Sequence, residues 1–294
     1  GLEYDNGVPG AYVENPALVA FITGSVPGAT NAIVSSANLK AFSMYHGATL
    51  GGAFAITKQI SVSLSGRFVF AKQEMTGRAD YMILGGASHG TIFPGSPELD
   101  VELKAYGFGG IIGCDIKLSE QLNIGLRFET PTALEFDVTV YDGNGFGMYT
   151  DGDKQTKDLP GVIAAGISFK PVKQLNIGLA FMYYLIKAAD GDAYDNYDNG
   201  FDISIGVEFA VTPDLFISAG YLYSKVGGNS DTYGDFDYAL DNHNYSLGLK
   251  YNFTSFMSAS FAAVKSFYKE GSNALGETFN KDVFTLALGL NFNL

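Results

Sequence analysis

Arg67, Arg127, Glu129, Glu208 and Lys250 are charged residues set inside stretches of small and apolar residues. On one face of a wall, such cations would hold a carboxylate through charge-assisted bonds, bidentate where an Arg supplies both donors. The plainer use of the same five is to pair with one another and brace the structure, since an unpaired buried charge is costly. Other chemistry finds little support. The single Cys114 forms no internal disulfide, and His46, His89 and His243 are too scattered to suggest zinc. No metal and no cofactor are expected. His243 and Ser246 have opposite parity along a strand, so they make no nucleophile–base pair, and no catalytic residue is assigned. The acidic runs Asp190, Asp192, Asp195, Asp198 and Asp231, Asp235, Asp237, Asp241 lack calcium-loop spacing, because Tyr194 takes a ligand slot and no Glu closes the run. They read as solvated surface. The run Gly107-Phe-Gly109-Gly110-Ile-Ile-Gly113 falls inside a strand, where glycines allow bends and close packing rather than a phosphate loop.

Composition and period tell what positions these residues. Of 294 residues, 47% are hydrophobic and only 17% charged, yet no apolar run reaches the eighteen or so residues that a membrane helix needs. So much apolar material must fill a large core or coat a lipid-facing surface. The net charge of −13, from 18 basic and 31 acidic residues, argues against nucleic acid, which requires a basic surface.

Every second residue is apolar. In the stretch 201–210, Phe201, Ile203, Ile205, Val207 and Phe209 alternate with Asp202, Ser204, Gly206, Glu208 and Ala210. Tyr245, Leu247, Leu249, Tyr251 and Phe253 alternate with Ser246, Gly248, Lys250 and Asn252, and Phe284 to Leu294 repeats the pattern. Strict alternation means strands with one apolar and one polar or small face. The second face is rich in Gly, Ser and Asn, as suits a crowded lumen, and aromatic residues gather near strand ends, as interface girdles require.

The connections sort themselves by length. Short ones are 57–59, 119–121, 171–174, 212–214 and 254–255; long ones are 74–100, 141–157, 188–199, 227–241 and 269–281. Short turns on one side and long polar loops on the other are the habit of outer-membrane barrels. The fold class is therefore all-β, an antiparallel transmembrane β-barrel. Its strands are expected at 39–56, 60–73, 101–117, 121–140, 159–170, 174–187, 201–211, 214–225, 242–253, 256–268 and 282–294. These number about eleven, whereas single-chain bacterial barrels have even counts. Residues 1–38 are accordingly expected to be an extracellular loop region following a missing strand, and 39–294 the barrel.

Gly289, Phe292 and Leu294 resemble the terminal signal read by barrel-assembly machinery, although Ala287 stands where a polar residue is usual. The hairpins resemble the FadL/TodX family of outer-membrane transporters of long-chain fatty acids and aromatic hydrocarbons. The resemblance rests on Gly47 to Gly66 with Phe68 to Lys72, on Asp158-Leu159-Pro160 leading into Gly166 to Gly178, and on Val211-Thr-Pro-Asp-Leu-Phe-Ile-Ser-Ala-Gly-Tyr221. It implies a barrel of fourteen strands with an N-terminal hatch, of which the hatch and first three strands are not expected here. Asn15-Pro16-Ala17 is similar to the hatch's Asn-Pro-Ala but sits at a poorly fitting position.

By parity Arg67, Arg127 and Lys250 face the lumen, as do Met182, Tyr184, Phe216 and Leu222, a mixed set that suits a hydrophobic ligand with a polar end. Glu129, Asp202 and Glu208 are lumen charges of opposite sign. The resemblance implies passive transport of hydrophobic compounds; a general diffusion porin or structural barrel is the alternative, and an enzyme is not expected. Expected partners are a hydrophobic small molecule, outer-membrane lipid and lipopolysaccharide (with divalent ions loosely bridging the acidic loops), and the assembly machinery.

Overall fold

The computed structural model describes residues 2–6, 22–24, 26–87, 89–93, 98–144, 147–191, 194–234 and 238–292. Asn15-Pro16-Ala17, Asp192, Asp235, Asp237 and Leu294 lie outside them. The strands are β1 (Leu2–Asn6), β2 (Asn31–Ala55), β3 (Ile60–Leu84), β4 (Ile92–Phe93), β5 (Glu98–Lys117), β6 (Leu122–Glu129), β7 (Glu135–Asn144) and β8 (Lys154–Thr156). There follow β9 (Gly161–Val172), β10 (Leu175–Leu185), β11 (Gly200–Ala210), β12 (Leu215–Lys225), β13 (Asn242–Asn252), β14 (Met257–Tyr268), β15 (Gly271–Ser272), β16 (Thr278–Phe279) and β17 (Asp282–Phe292). One antiparallel sheet runs β1-β2-β3-β5-β6-β9-β10-β11-β12-β13-β14-β17, with β4, β7 and β8 paired onto it.

Local chemistry sets the hairpins. At four of the five short turns a hydroxyl accepts the amides two and three residues on: Thr57, Ser119, Thr212 and Thr254 each do so. Such side-chain turns replace the ladder where the chain reverses. They fix the register, so every odd residue of β11 and β13 falls on one face.

Curvature identifies the faces. Side chains on β3 and β6, with β5 between them, touch on the concave side, where Arg67 reaches Glu129. Tyr45 and Phe136 likewise meet with ring centroids 6.5 Å apart although β3 and β5 separate their strands. The opposite, convex face carries Ile203, Ile205, Leu247 and Leu249, all exposed, while Ser204, Gly206 and Lys250 share the concave parity. The expected orientation holds. A chain of ring contacts crosses five strands on the convex face, from Phe181 through Phe201, Tyr223, His243, Tyr221 and Tyr245 to Phe267. From Tyr245 to Phe253 is about 27 Å of strand, or about 20 Å of thickness at a tilt of about 40°, close to the apolar band of a barrel.

Two expectations are corrected. Residues 74–100 do not form a long loop: β3 continues to Leu84 and β5 starts at Glu98. Alternation persists there, with Ala79, Tyr81 and Ile83 buried inward beside Ala32 and Val34; polar outward residues made the stretch look like a loop. At 25 residues each, β2 and β3 run about 80 Å, more than twice what a crossing needs. The stretch 121–140 is not one strand either. It breaks into β6 and β7, and Thr130–Leu134 between them turns inward. The cause lies in the neighbour. A Cβ on Gly107 would come within 2.4 Å of the Ala133 carbonyl oxygen, so only glycine lets the segment lie against β5.

Beyond the apolar band the concave faces fold onto each other. Val69, Ala71, Leu103, Leu134, Phe136 and Val138 form one buried cluster, with Met75 and Tyr149 packed against it. At the flanks of the sheet, among the described residues, β17 pairs with β14 and β2 beyond Ala41 with β3 alone. Leu50 and Leu288, on these two strands, are each 86% exposed.

Candidate lumen site

The concave wall gathers the charged residues into three groups. The first joins β3 and β6. Arg67 Nη1 lies 2.7 Å from Glu129 Oε2, and Arg127 Nε lies 3.2 Å from Glu129 Oε1. Arg67 Nη2 also donates to Thr132 Oγ1 at 3.2 Å. The arrangement needs Gly109, the cross-strand partner of Arg67, because a Cβ there would come within 2.6 Å of the Thr132 hydroxyl oxygen. Two cations share one carboxylate, so the group carries one positive charge in excess. Glu129 is nearly buried, yet about half of the Arg127 side chain faces open space.

The second group spans β10, β11 and β12. Tyr184 donates to Asp202 Oδ2 at 2.8 Å, and the Ser224 hydroxyl donates to the other oxygen. Met182 is the cross-strand partner of Asp202, and Leu222 that of Ser204. In the third group the Lys250 ammonium stands 5.6 Å from the centroid of its cross-strand neighbour Phe216. Glu208 lies on the same face of β11, beside Ser218 and Asn176. The three groups do not converge: seven steps along the sheet order separate Arg67 on β3 from Lys250 on β13. Between them the wall is floored by Gly125, Ala164, Gly166, Gly178, Ala180 and Gly206, which leave the space above open.

Near the end of β17, Gly289 is opposite Ser260 on the concave face and Phe292 is exposed on the convex one. Among the described residues no cluster of His, Cys, Asp and Glu is fit to hold a metal ion.

Three features escaped the sequence reading. Thr132 gave no signal, since its role depends on the break between β6 and β7. Asp158 is buried and accepts the Leu134 amide at 3.0 Å and the Asp190 amide at 3.3 Å. The third lies on the convex face beyond the band, where Lys72 and Lys104 hold Glu102 at 2.8 Å and 2.6 Å and Tyr141 donates to it at 3.0 Å. Bonds from Lys104 and Lys72 hold the Glu102 carboxyl down, to about 2. A cross-strand signal was present there: Lys72 faces Lys104, and directly opposed like charges need an anion between them.

No protein-family model and no curated protein matches this sequence. Solved structures do. A Pseudomonas aeruginosa FadL homologue superposes with a TM-score of 0.58 at 16% identity, over 90% of this chain and 69% of its own. The Pseudomonas putida toluene transporter TodX gives 0.53 at 12% identity over 90% and 82%, and the CymD monoaromatic hydrocarbon channel 0.52 at 14% over 90% and 78%. The chain has the FadL/TodX fold. Within that fold the three charged groups lie on the concave wall, and the broken β6–β7 strand packs against its inner surface.

Proposed function

We propose that this protein is an outer-membrane channel through which hydrophobic compounds, long-chain fatty acids or aromatic hydrocarbons, pass by diffusion. The long-strand end then faces outward and the short turns face the periplasm, with the convex apolar band in lipid. The observation that carries the reading is Arg127. Its guanidinium is only half engaged by Glu129, and it stands on a wall that also presents Met182, Tyr184 and, farther along, Leu222 and Phe216. An apolar wall with a few polar groups is the usual make-up of a ligand site. A carboxylate would take the free donors of Arg127, while Lys250 over Phe216 offers a second cation. The FadL/TodX fold supports transport over catalysis, and His243 on the convex face with Ser246 on the concave one supports it too. Outer-leaflet lipid, lipopolysaccharide and the assembly machinery are the partners that such a barrel would meet.

The test is uptake of oleate, toluene and small sugars by liposomes carrying the full-length protein. Saturable passage of the two hydrophobes is expected. Unsaturable passage of sugars with no retention of either hydrophobe would instead mark a general diffusion porin.

A further inference from the structure

Thr130–Leu134 stands between two hydrogen-bond systems. Toward the membrane, Thr132 Oγ1 accepts from Arg67 at 3.2 Å, and Arg67 also holds Glu129. Toward the long-loop end, Leu134 N donates to Asp158 Oδ1. Asp158 in turn accepts the Asp190 amide at Oδ2, and its carbonyl oxygen accepts the Tyr194 hydroxyl at 2.8 Å. Asp190 and Tyr194 belong to the connection between β10 and β11. One short segment therefore ties the lumen arginines to an external loop.

Most of the segment's hydrogen bonds run to residues 157–159. Thr132 exchanges two backbone bonds with Leu159, both 2.9 Å, so the two strands travel together. Two hydrogen bonds hold its backbone to β5, Thr130 N to the Gly110 oxygen at 2.9 Å and Gly110 N to the Thr130 hydroxyl, and Leu134 is anchored in the buried cluster with Val101, Leu103 and Ala105. Gly107 and Gly109 let Thr132 and Ala133 lie directly on the β5 backbone. Arg67 is also incompletely satisfied in this arrangement, because its Nε is buried without an acceptor.

We propose that Thr130–Leu134 is a latch through which a carboxylate bound in the lumen alters the loop carrying Asp190 and Tyr194. The inference rests on the reading of Arg127 and Arg67 as an anion site. An incoming carboxylate competes with Glu129 for both guanidiniums. Arg67 turns toward the new anion, and Thr132 loses its charged donor. Thr130–Ala133 shift over Gly107 and Gly109 about the anchored Leu134, and Asp158 carries the change to Asp190 and Tyr194. The ligand shifts the equilibrium only by its preference for the unlatched state, and that preference is the bond which Arg67 gains when it leaves Thr132. An uncharged ligand of the same shape has no such preference.

The experiment uses full-length protein in nanodiscs, with Cys114→Ser and spin labels at Thr150→Cys and Asn196→Cys, read by electron–electron distance measurement. Binding of oleate and of methyl oleate is measured by calorimetry on the same samples. Oleate is expected to move the distance distribution and methyl oleate to leave it unchanged. Thr132→Val, which removes the clasp and little else, should give the oleate-like distribution without ligand. Asp158→Asn keeps an acceptor for Leu134 but not one for Asp190, and should bind oleate normally while losing the shift. Tight oleate binding with an unmoved distribution in both wild type and Thr132→Val would overturn the latch and leave the anion site standing. Equal binding of oleate and methyl oleate would remove the anion site itself, and the latch with it.

Discussion

Arg67 and Glu129 meet at 2.7 Å although β5 lies between their strands. On β5 the partner of Arg67 is Gly109 and that of Glu129 is Ile111, and the bare backbone of Gly109 lets a side chain from β3 reach β6 over the intervening strand. The ion pair thus clamps three neighbouring strands, whereas a cross-strand pair clamps two.

Removing one end of this clamp should weaken the barrel. Arg67→Ala leaves a nearly buried carboxylate to Arg127 alone, and a charged hydrogen bond of this kind contributes about 2 kcal/mol. Urea unfolding in detergent is the measurement. A cycle with Glu129→Gln should show coupling on the order of 1 kcal/mol; strict additivity would mean that the pair does not clamp.

Gly107→Ala should cost more than an exposed Gly→Ala exchange. The added methyl lies 2.4 Å from the Ala133 oxygen and 2.7 Å from Thr132 Cγ2, so the inward segment must give way. Overpacking of this kind costs about 1 to 3 kcal/mol. Gly125→Ala, where nothing lies within 4 Å, is the control and should be nearly neutral in the same unfolding assay.

On the convex face, Leu247→Arg should destabilise by about 2 to 4 kcal/mol, the cost of a cation near the middle of the apolar band. Ser246→Arg, one residue earlier on the concave face, should be tolerated. The two variants compared by folding titrations into lipid vesicles test the register directly, because a slip by one residue would reverse the order.

Acid should act on the convex network. The Glu102 carboxyl sits at about 2 in the folded protein, held down first by Lys104 and then by Lys72, against an ordinary value of 4.5. A carboxylate depressed on folding adds stability that is fully present above its unfolded value and is lost as pH falls through its folded one. Stability should therefore decline from about pH 5 toward pH 2. Glu102→Gln should flatten that decline in unfolding curves recorded across the range.

Replacing Arg127 by Ala should weaken retention of oleate about tenfold or more, the share of one charge-assisted bond. Toluene, which has no carboxylate, should be retained as before. Equal losses for both in equilibrium binding to the full-length protein would assign Arg127 to the wall and not to a ligand.

The strands β9 to β14 and β17 were legible because each repeats a period of two over about ten residues and is bounded by a Thr, Ser or Pro turn, whereas the two-residue β15 and β16 lie in a stretch read as a loop. The shared concave parity of Arg67, Arg127, Tyr184, Asp202 and Lys250 followed from the same count. What escaped was set by contacts distant in sequence. The break at Thr130 depends on Gly107 and Gly109 some twenty residues earlier, and glycines in a strand announce only that something comes close. The partners of Arg67 depended on that break. The long tops of β2 and β3 were missed for another reason. There the alternation is carried by Ala79, Tyr81 and Ile83, while Arg78, Asp80 and Glu74 on the other face gave the look of a loop.

The hydroxyl-capped turns have a consequence for the order of assembly. Each closes a hairpin through about four residues, as at 253–256, whereas the connection from β12 to β13 spans about sixteen. Loop-closure entropy favours the shorter by about 1 kcal/mol. Pairs such as β11–β12 and β13–β14 should therefore zip first, each with its register already set by Thr212 or Thr254. The wall would then grow by whole hairpins docking side by side, and a Thr254→Ala variant should slow that growth before it lowers final stability.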